Sequence, residues 1–252
     1  MDQIGLVVLD EVTLEAEGSY CLRSKPGSPG YTGKNEWLET CFQKGLQYVK
    51  LTENGKTAGF IEYTPIEHSS RVVYGENYFI IHCLWIGATG KGYASRLIRK
   101  CIEDAKALGK DGVAVITNST TSWTPSKEIY IKNGFRQADQ APYGFELMVY
   151  PLGHRDVPCF PNNWNERLNL FPDLTILRTP QCPYLTIATD NMITAADKLG
   201  LHAEIVNMKN REELLKLSPT PYGVYGVVYK QKLIAYHRLT VHSAMKRLKG
   251  ML

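Results

Sequence analysis

The chain has 252 residues, of which 44% are hydrophobic, and its formal net charge is +4 at pH 7. This length allows two domains, and so modest a charge argues against a nucleic-acid-binding protein, which usually carries a dense basic stripe. The sequence has neither an apolar stretch of roughly 18 residues nor a basic-then-apolar leader, so it indicates no membrane span and no secretion signal. It therefore predicts a cytoplasmic protein with a packed core.

The six cysteines and six histidines are dispersed along the chain. No Cys-x-x-Cys pair and no His-Glu-x-x-His motif occurs, and such spacings are what zinc sites and redox centres usually require. Cys83 and Cys101 fall on predicted apolar surfaces, where a cysteine is usually a small buried hydrophobe. The sequence therefore predicts no metal site and no disulfide framework.

The first elements form a predicted strand, a loop and a helix, followed by a hairpin. Ile4 to Leu9 is rich in β-forming residues, residues 15–33 are rich in Gly and Pro, and Lys34 to Lys44 has apolar residues at helical spacing. The hairpin strands are predicted over 46–51 and 57–63, because the intervening Asn-Gly pair favours a tight turn.

A glycine-rich segment follows the predicted strand Tyr78 to Ile86 and precedes a predicted amphipathic helix. The helix stripe consists of small and apolar residues three and four positions apart: Ala94, Leu97, Ile98, Cys101, Ile102 and Ala105. Gly87, Gly90 and Gly92 stand between strand and helix. A helix N-terminus offers N–H donors and a positive dipole end, and glycines allow a phosphate to approach the backbone, so the segment predicts an anion site.

Four interpretations of this segment compete. A P-loop needs four residues between its first Gly and its Gly-Lys pair. Only Ala88 and Thr89 lie between Gly87 and the Gly90-Lys91 pair, which excludes a P-loop. A dinucleotide fingerprint would place Ser95 where Gly or Ala belongs and lacks the following acidic residue. The third is the pyrophosphate loop of acetyltransferases, and the fourth is a plain turn whose glycines serve only steric needs.

The first predicted domain continues with a strand over Val113 to Thr117, a helical run over Lys127 to Phe135, and a last strand from Phe145 to Leu152. The run Ile129-Tyr130-Ile131-Lys132-Asn133-Gly134-Phe135 resembles the GNAT signature Leu-Tyr-x-x-x-Gly-Phe, and Gly90-x-Gly92 resembles the GNAT pyrophosphate loop. The two motifs occur in the order of that family. On these residues the chain resembles a GNAT N-acetyltransferase over residues 1–152.

The resemblance implies a mixed-sheet α/β (α+β) fold and acetyl-CoA as cosubstrate. In GNAT proteins the region corresponding to residues 15–33 helps to form the acceptor site. The cofactor-binding residues that the resemblance implies are Leu84, Trp85, Ile86, Gly87, Thr89, Gly90, Lys91, Gly92, Tyr93, Ala94 and Asn118.

Acetyl transfer to an amine needs a proton acceptor for the amine, stabilisation of the thioester oxyanion and a proton donor for the leaving thiolate. The resemblance makes Tyr130 the candidate acid, and a phenol with a pKa of about 10 is close to a thiol in acidity. Glu62, Glu76 and His82 are candidate bases, since they fall near the positions where GNAT proteins keep acidic or water-relaying groups.

The remainder of the chain predicts a linker over residues 153–172 and a second domain over 173–252. Its predicted order βαβαββα resembles a thioredoxin-like domain, with Cys182 at the active-site position but without a second cysteine. The arrangement of an acetyltransferase followed by this unit resembles the YoaP group of bacterial GNAT proteins.

The sequence therefore predicts an acetyl-CoA-dependent N-acetyltransferase that transfers the acetyl group directly to a primary amine. We expect a small-molecule amine or an amino terminus as acceptor, no nucleic-acid or membrane partner, and a monomer or homodimer. Two alternatives are a non-catalytic module that binds or senses acetyl-CoA and a thiol-dependent binding protein centred on Cys182.

Overall fold

A computed structural model describes residues 3–121, 123–124, 126–153 and 156–252. Met1 and Asp2 of the predicted first domain, Ser122 and Pro125 of the loop after Asn118, and residues 154–155 of the predicted linker lie outside the described residues. In chain order the strands and helices are β1 (Ile4–Leu9), α1 (Glu11–Glu17), α2 (Pro29–Phe42), β2 (Gln47–Glu53), β3 (Lys56–Pro65), β4 (Tyr78–Ile86), α3 (Tyr93–Ala107), β5 (Gly112–Asn118), α4 (Lys127–Lys132), β6 (Arg136–Ala141), β7 (Phe145–Pro151), α5 (Trp164–Asn169), β8 (Thr175–Arg178), α6 (Leu185–Asp197), β9 (Glu204–Asn207), α7 (Arg211–Leu217), β10 (Tyr225–Tyr229), β11 (Lys232–Ala235) and α8 (Val241–Lys249).

The chain divides into two compact units. The first unit contains Met1–Tyr20, Leu38–Ser69 and Val73–Phe160, and the second contains Cys21–Trp37, Ser70–Val72 and Pro161–Leu252. Residues 21–37 and 70–72 thus belong to the second unit, although they fall within the predicted first domain. The predicted domain boundaries at 152 and 173 stay predictions.

The described strands of the first unit form a seven-stranded mixed sheet in the order β1-β2-β3-β4-β5-β7-β6. Only β4 and β5 pair in parallel within this sheet, and the other described neighbours are antiparallel. Helix α3 connects the two parallel strands. Its predicted apolar stripe is confirmed, because all six stripe residues are buried and the stripe joins the core with Val49, Ile61, Ile81 and Val115.

The stretch over residues 15–33, predicted to be mostly loop, is loop over residues 18–28, whereas its two ends belong to α1 and to the first turns of α2. Asp10 starts α1 with a capping box: its Oδ1 accepts from the Thr13 amide at 2.7 Å, and Thr13 Oγ1 accepts from the Asp10 amide at 2.8 Å. Pro29 occupies the first position of α2, where proline is tolerated. The Gly and Pro residues of this stretch therefore lie in the loop and at the helix ends that border it.

Two further elements differ from the predictions. Strand β6 was not predicted, because it lies at the sheet edge, is mostly exposed and has a polar sequence without apolar alternation. The predicted linker 153–172 contains helix α5, and Trp164, Leu168 and Phe171 are buried. The described part of this stretch is therefore packed structure.

The second unit contains a four-stranded sheet, counted over the described strands, in the order β11-β10-β8-β9. Strands β8 and β9 are parallel, whereas β10 is antiparallel to β8 and to β11. Helix α6 begins at Leu185 and packs against α8. None of the helices in the described parts of the chain has the length and apolar character that crossing a membrane requires.

Candidate functional site

The parallel strands β4 and β5 separate partway along their length. Their pairing runs from Tyr78 opposite Gly112 to Ile81 opposite Val115. Beyond that point β4 pairs only with β3, as far as Ile86, and β5 pairs only with β7, as far as Asn118. The sheet therefore opens between the ends of these two strands, and we call this feature the β4–β5 opening.

A β-bulge on β4 marks the start of the β4–β5 opening. Glu62 on β3 is opposite Cys83, whereas the next residue, Tyr63, is opposite Ile81. His82 is therefore the extra residue on β4. Bulges redirect side chains and end strand pairing, and they are frequent beside functional sites.

The glycine-rich segment lies at the end of the opened part of β4. Gly90 has φ of +82° and Gly92 has φ of +75°, and in both cases an added Cβ would meet no atom within 4 Å. Gly92 is the N-cap of α3 and provides no side-chain acceptor for the first-turn N–H groups. The segment thus presents helix N-terminal donors to open space, as an anion site requires.

The predicted cofactor residues around these glycines lie in different settings. The Gly87 amide donates to the Ala58 carbonyl at 2.8 Å, which extends the β3–β4 pairing rather than facing a ligand. Thr89 is exposed and Ala94 is buried in the first turn of α3. Tyr93 is also buried in that turn.

Glu53 on β2 contacts two predicted cofactor residues. Its Oε1 accepts from Lys91 Nζ and from the Tyr93 hydroxyl, each at 2.5 Å. The hydrogen bond from Lys91 holds the pKa of Glu53 below its usual value, and the same bond raises the pKa of Lys91. Lys91 therefore carries its charge beside the glycine segment, held by a carboxylate that sequence analysis did not single out.

Successive side chains along the opened part of β4 point to opposite faces of the sheet. Leu84 and Ile86 pack against the core that contains α3. Trp85 instead stacks on Tyr20, with ring centroids 4.2 Å apart and an interplanar angle of 27°. Tyr20 belongs to the chain between β1 and β2.

Asn118, a predicted cofactor residue, anchors the loop that follows β5. Its Nδ2 donates to the Tyr143 carbonyl at 2.9 Å, and its Oδ1 accepts from the Thr120 amide at 2.8 Å and the Thr120 hydroxyl at 2.6 Å. The side chain is buried. These contacts fix the end of β5 and give Asn118 a structural function in the loop.

Tyr130, the candidate acid, lies on α4 and is fully buried in the core of the first unit. Its ring meets Phe135 edge-on at 5.4 Å. Asn133 at the end of α4 donates from Nδ2 to Ser95 Oγ at 3.0 Å, and Ser95 lies in the first turn of α3. This contact holds the helix of Tyr130 beside the start of α3 and its glycine segment.

The candidate bases separate into a pair and an outlier. His82 Nδ1 lies 3.1 Å from Glu62 Oε1, and His82 Nε2 lies 3.0 Å from Ser69 Oγ. All three residues are buried. Glu76 is exposed and precedes β4 at the end opposite the glycine segment. The structure thus brings Glu62 and His82 together at the bulge and leaves Glu76 away from the β4–β5 opening.

Sequence analysis missed Glu53, Ser69 and Asn133 as members of this site. Asn133 falls inside the GNAT-like motif, so the motif offered a signal for it. Glu53 and Ser69 carry no motif, and only the folded sheet brings them to Lys91 and His82. Among the described residues, no three His, Cys, Asp or Glu side chains are arranged to hold a metal ion.

The chain was compared with solved structures. It is 16% identical to the PaiA N-acetyltransferase from Thermoplasma acidophilum in complex with coenzyme A, covering 60% of this chain and 99% of that one, with a TM-score of 0.43. It is 14% identical to yncA from Salmonella typhimurium with its cofactor acetyl-CoA (61% and 96% covered, TM-score 0.44). It is 15% identical to a ribosomal-protein-alanine N-acetyltransferase from Brucella melitensis (59% and 99%, TM-score 0.44).

The sequence comparisons give the family. Residues 17–135 match the model of the acetyltransferase (GNAT) family. Over 219 residues the chain is 28% identical to the uncharacterized N-acetyltransferase YoaP of Bacillus subtilis strain 168. The aligned region covers 85% of this chain and 86% of YoaP. The matched residues include β4, the glycine segment and Tyr130. The matched segment, residues 17–135, is therefore a GNAT-family acetyltransferase domain.

Proposed function

We propose that the protein binds acetyl-CoA in the β4–β5 opening and transfers the acetyl group directly to a primary amine. One observation carries this proposal: the parallel pairing ends at Ile81, the bulge stands at His82, and the same strand ends in the glycine segment. An opening lined by backbone, with an anion site at its end, suits a long cosubstrate that has a diphosphate near one end and a thioester at the other.

The described residues fit the diphosphate. Open space at Gly90 and Gly92 leaves room for phosphate oxygens against the first-turn amides of α3. The Lys91 ammonium adds positive charge once it exchanges Glu53 for a phosphate. Acetyl-CoA, when bound, supplies the acyl group as a thioester.

Two groups of side chains supply the proton transfers in this proposal. Tyr130 donates a proton to the leaving thiolate. The Glu62–His82 pair accepts a proton from the amine, through water because both side chains are buried. With Glu62 ionised, His82 carries its proton on Nδ1 and keeps Nε2 as the acceptor.

For the acceptor we propose a neutral primary amine that enters beside the Tyr20–Trp85 stack. In support, Tyr20 comes from the chain between β1 and β2 and lies directly on opened strand β4. The acceptor is a small molecule or an amino terminus. No disulfide bond joins any of the six cysteines, and we propose that the protein acts in the reducing cytosol. We also propose that it acts as a monomer or homodimer.

We also propose that the second unit is a thioredoxin-like domain. Its element order β8-α6-β9-α7-β10-β11-α8, its sheet order β11-β10-β8-β9 and the packing of α6 on α8 support this. If a Cys182→Ser variant transfers acetyl groups at an unchanged rate, the Cys182 thiol of the second unit takes no part in the acetyl transfer of the first unit.

The experiment is calorimetric titration with coenzyme A, followed by thiol release from acetyl-CoA over a panel of primary amines, amino acids and peptides with free amino termini. Binding with acceptor-dependent thiol release supports the proposal. Binding without any acceptor-dependent release contradicts transfer and favours acetyl-CoA sensing. Absence of heat at about millimolar coenzyme A overturns both.

A further inference from the structure

The second unit contains a cavity of about 550 Å³ beside Cys182. This volume is in the range of small-molecule sites. The cavity is bounded by the first turns of α2, the end of β8, the start of α6 and the end of β9. Its lining residues that matter here are Lys34, Arg178, Thr179, Cys182, Met208 and Lys209.

The charges at the cavity wall have one sign. Lys34, Arg178 and Lys209 line it, and no Asp or Glu is among the described lining residues. Arg178 donates from Nε to Asn207 Oδ1 at 2.8 Å and from Nη1 to Thr189 Oγ1 at 3.2 Å. A guanidinium has five N–H donors, so Arg178 has donors beyond these two contacts. The cavity is therefore suited to an anion.

The backbone around the cavity is closely fitted. A Cβ at Gly30 would lie 2.1 Å from the Pro183 carbonyl oxygen, so the first turn of α2 rests directly on the loop that carries Cys182. Helix α6 begins just after this loop, and its N-cap residue Tyr184 makes no side-chain capping bond. The first-turn amides of α6 and the Cys182 thiol thus lie at the same wall as the cations.

We propose that this cavity binds a small organic anion next to the Cys182 thiol. Arg178, Lys34 and Lys209 attract its carboxylate or phosphate, and its apolar portion packs on Leu185 and Met208. The proposal concerns the second unit and does not depend on acetyl transfer.

The first test compares alkylation of Cys182 by iodoacetate, an anion, and by neutral iodoacetamide, read by peptide mass spectrometry. The exposed Cys159 of the first unit is the reference thiol in the same chain. We expect the iodoacetate-to-iodoacetamide rate ratio to be about threefold or more higher at Cys182 than at Cys159, because the cations concentrate the anion. Equal ratios at the two cysteines would overturn the proposal.

The second test uses variants. Lys34→Gln and Lys209→Gln should each lower the Cys182 ratio. Lys232→Gln removes the same charge from an exposed residue of β11 that is not among the lining residues, so it should leave the ratio unchanged. A ratio that responds equally to Lys232→Gln contradicts a local site.

The third test asks whether an anion protects Cys182 from iodoacetamide. Inorganic phosphate and succinate, each at about 10 mM, should slow the reaction at Cys182 and not at Cys159, and the more effective of the two identifies the anionic group. Protection by neither anion would overturn the proposal.

Discussion

The imidazole of His82 lies against the carboxylate of Glu62 at the β-bulge, with Nδ1 3.1 Å from Oε1. Both side chains are almost completely buried. The extra residue on β4 is what allows this contact, since His82 has no partner position on β3. The bulge therefore lies directly after Ile81, the last residue of β4 that pairs with β5, and it brings a titratable pair into contact.

The first prediction concerns this pair. Glu62→Gln keeps the size and hydrogen-bonding capacity of the side chain but removes its charge. We expect kcat to fall by about 10²-fold or more, as for loss of a general base, with an unchanged Kd for coenzyme A. Ser69→Ala, which removes only the contact to Nε2, should have a smaller effect on kcat. The acid limb of the pH profile of kcat/KM distinguishes the roles: it should change in Glu62→Gln, whereas a purely structural Glu62 would leave it in place.

The second prediction concerns the acid. Tyr130→Phe should lower kcat by about 10²-fold or more while coenzyme A binds with unchanged Kd, because the ring packing on Phe135 is kept and only the proton donor is lost. Tyr150→Phe is the matched control, since Tyr150 contacts the same Phe135 ring at 5.6 Å. Full activity in Tyr130→Phe would refute the assignment.

The third prediction concerns the glycine segment. Gly92→Ala and Gly109→Ala both place a side chain at positive φ, +75° and +63°, in open space at the two ends of α3. Each should destabilise the protein by roughly 1–2 kcal/mol. Only Gly92→Ala should weaken coenzyme A binding, by about tenfold, because its methyl group enters the phosphate path. Equal affinities of the two variants for coenzyme A, measured by calorimetry, would contradict an anion site at the start of α3.

The fourth prediction concerns Glu53, whose carboxylate accepts a hydrogen bond from Lys91 in the protein without ligand. Glu53→Gln should tighten coenzyme A binding by about two- to fivefold, because the ammonium no longer exchanges a carboxylate for a phosphate. Hydrogen bonding from Lys91 lowers the pKa of Glu53, so the carboxylate stays ionised until the pH falls below its usual range. The gain should therefore be constant between about pH 6 and pH 9. A gain that vanishes on going from pH 9 to pH 6 would contradict this account.

Local pattern predicted the elements that position the site. Strand β4 was predicted with its observed bounds, and α3 with its buried stripe, because both are recorded in apolar periodicity. Edge strand β6 was missed because exposed polar residues give no such signal. The contact between Glu62 and His82 joins residues 20 apart through a register shift, and sequence spacing does not encode a bulge. The capping residues of α1 were visible in the sequence, but the surrounding Gly and Pro residues concealed them.

Only a short stretch of backbone pairing between β4 and β5 joins the two halves of the large sheet, β1-β2-β3-β4 and β5-β7-β6. Four residue pairs, Tyr78 to Ile81 with Gly112 to Val115, connect β4 to β5, whereas seven connect β5 to β7. This seam is the shortest strand pairing among the described strands of the large sheet. A molecule that lies between the separated strand ends would replace the missing backbone hydrogen bonds between β4 and β5 and would make both halves of the sheet more rigid.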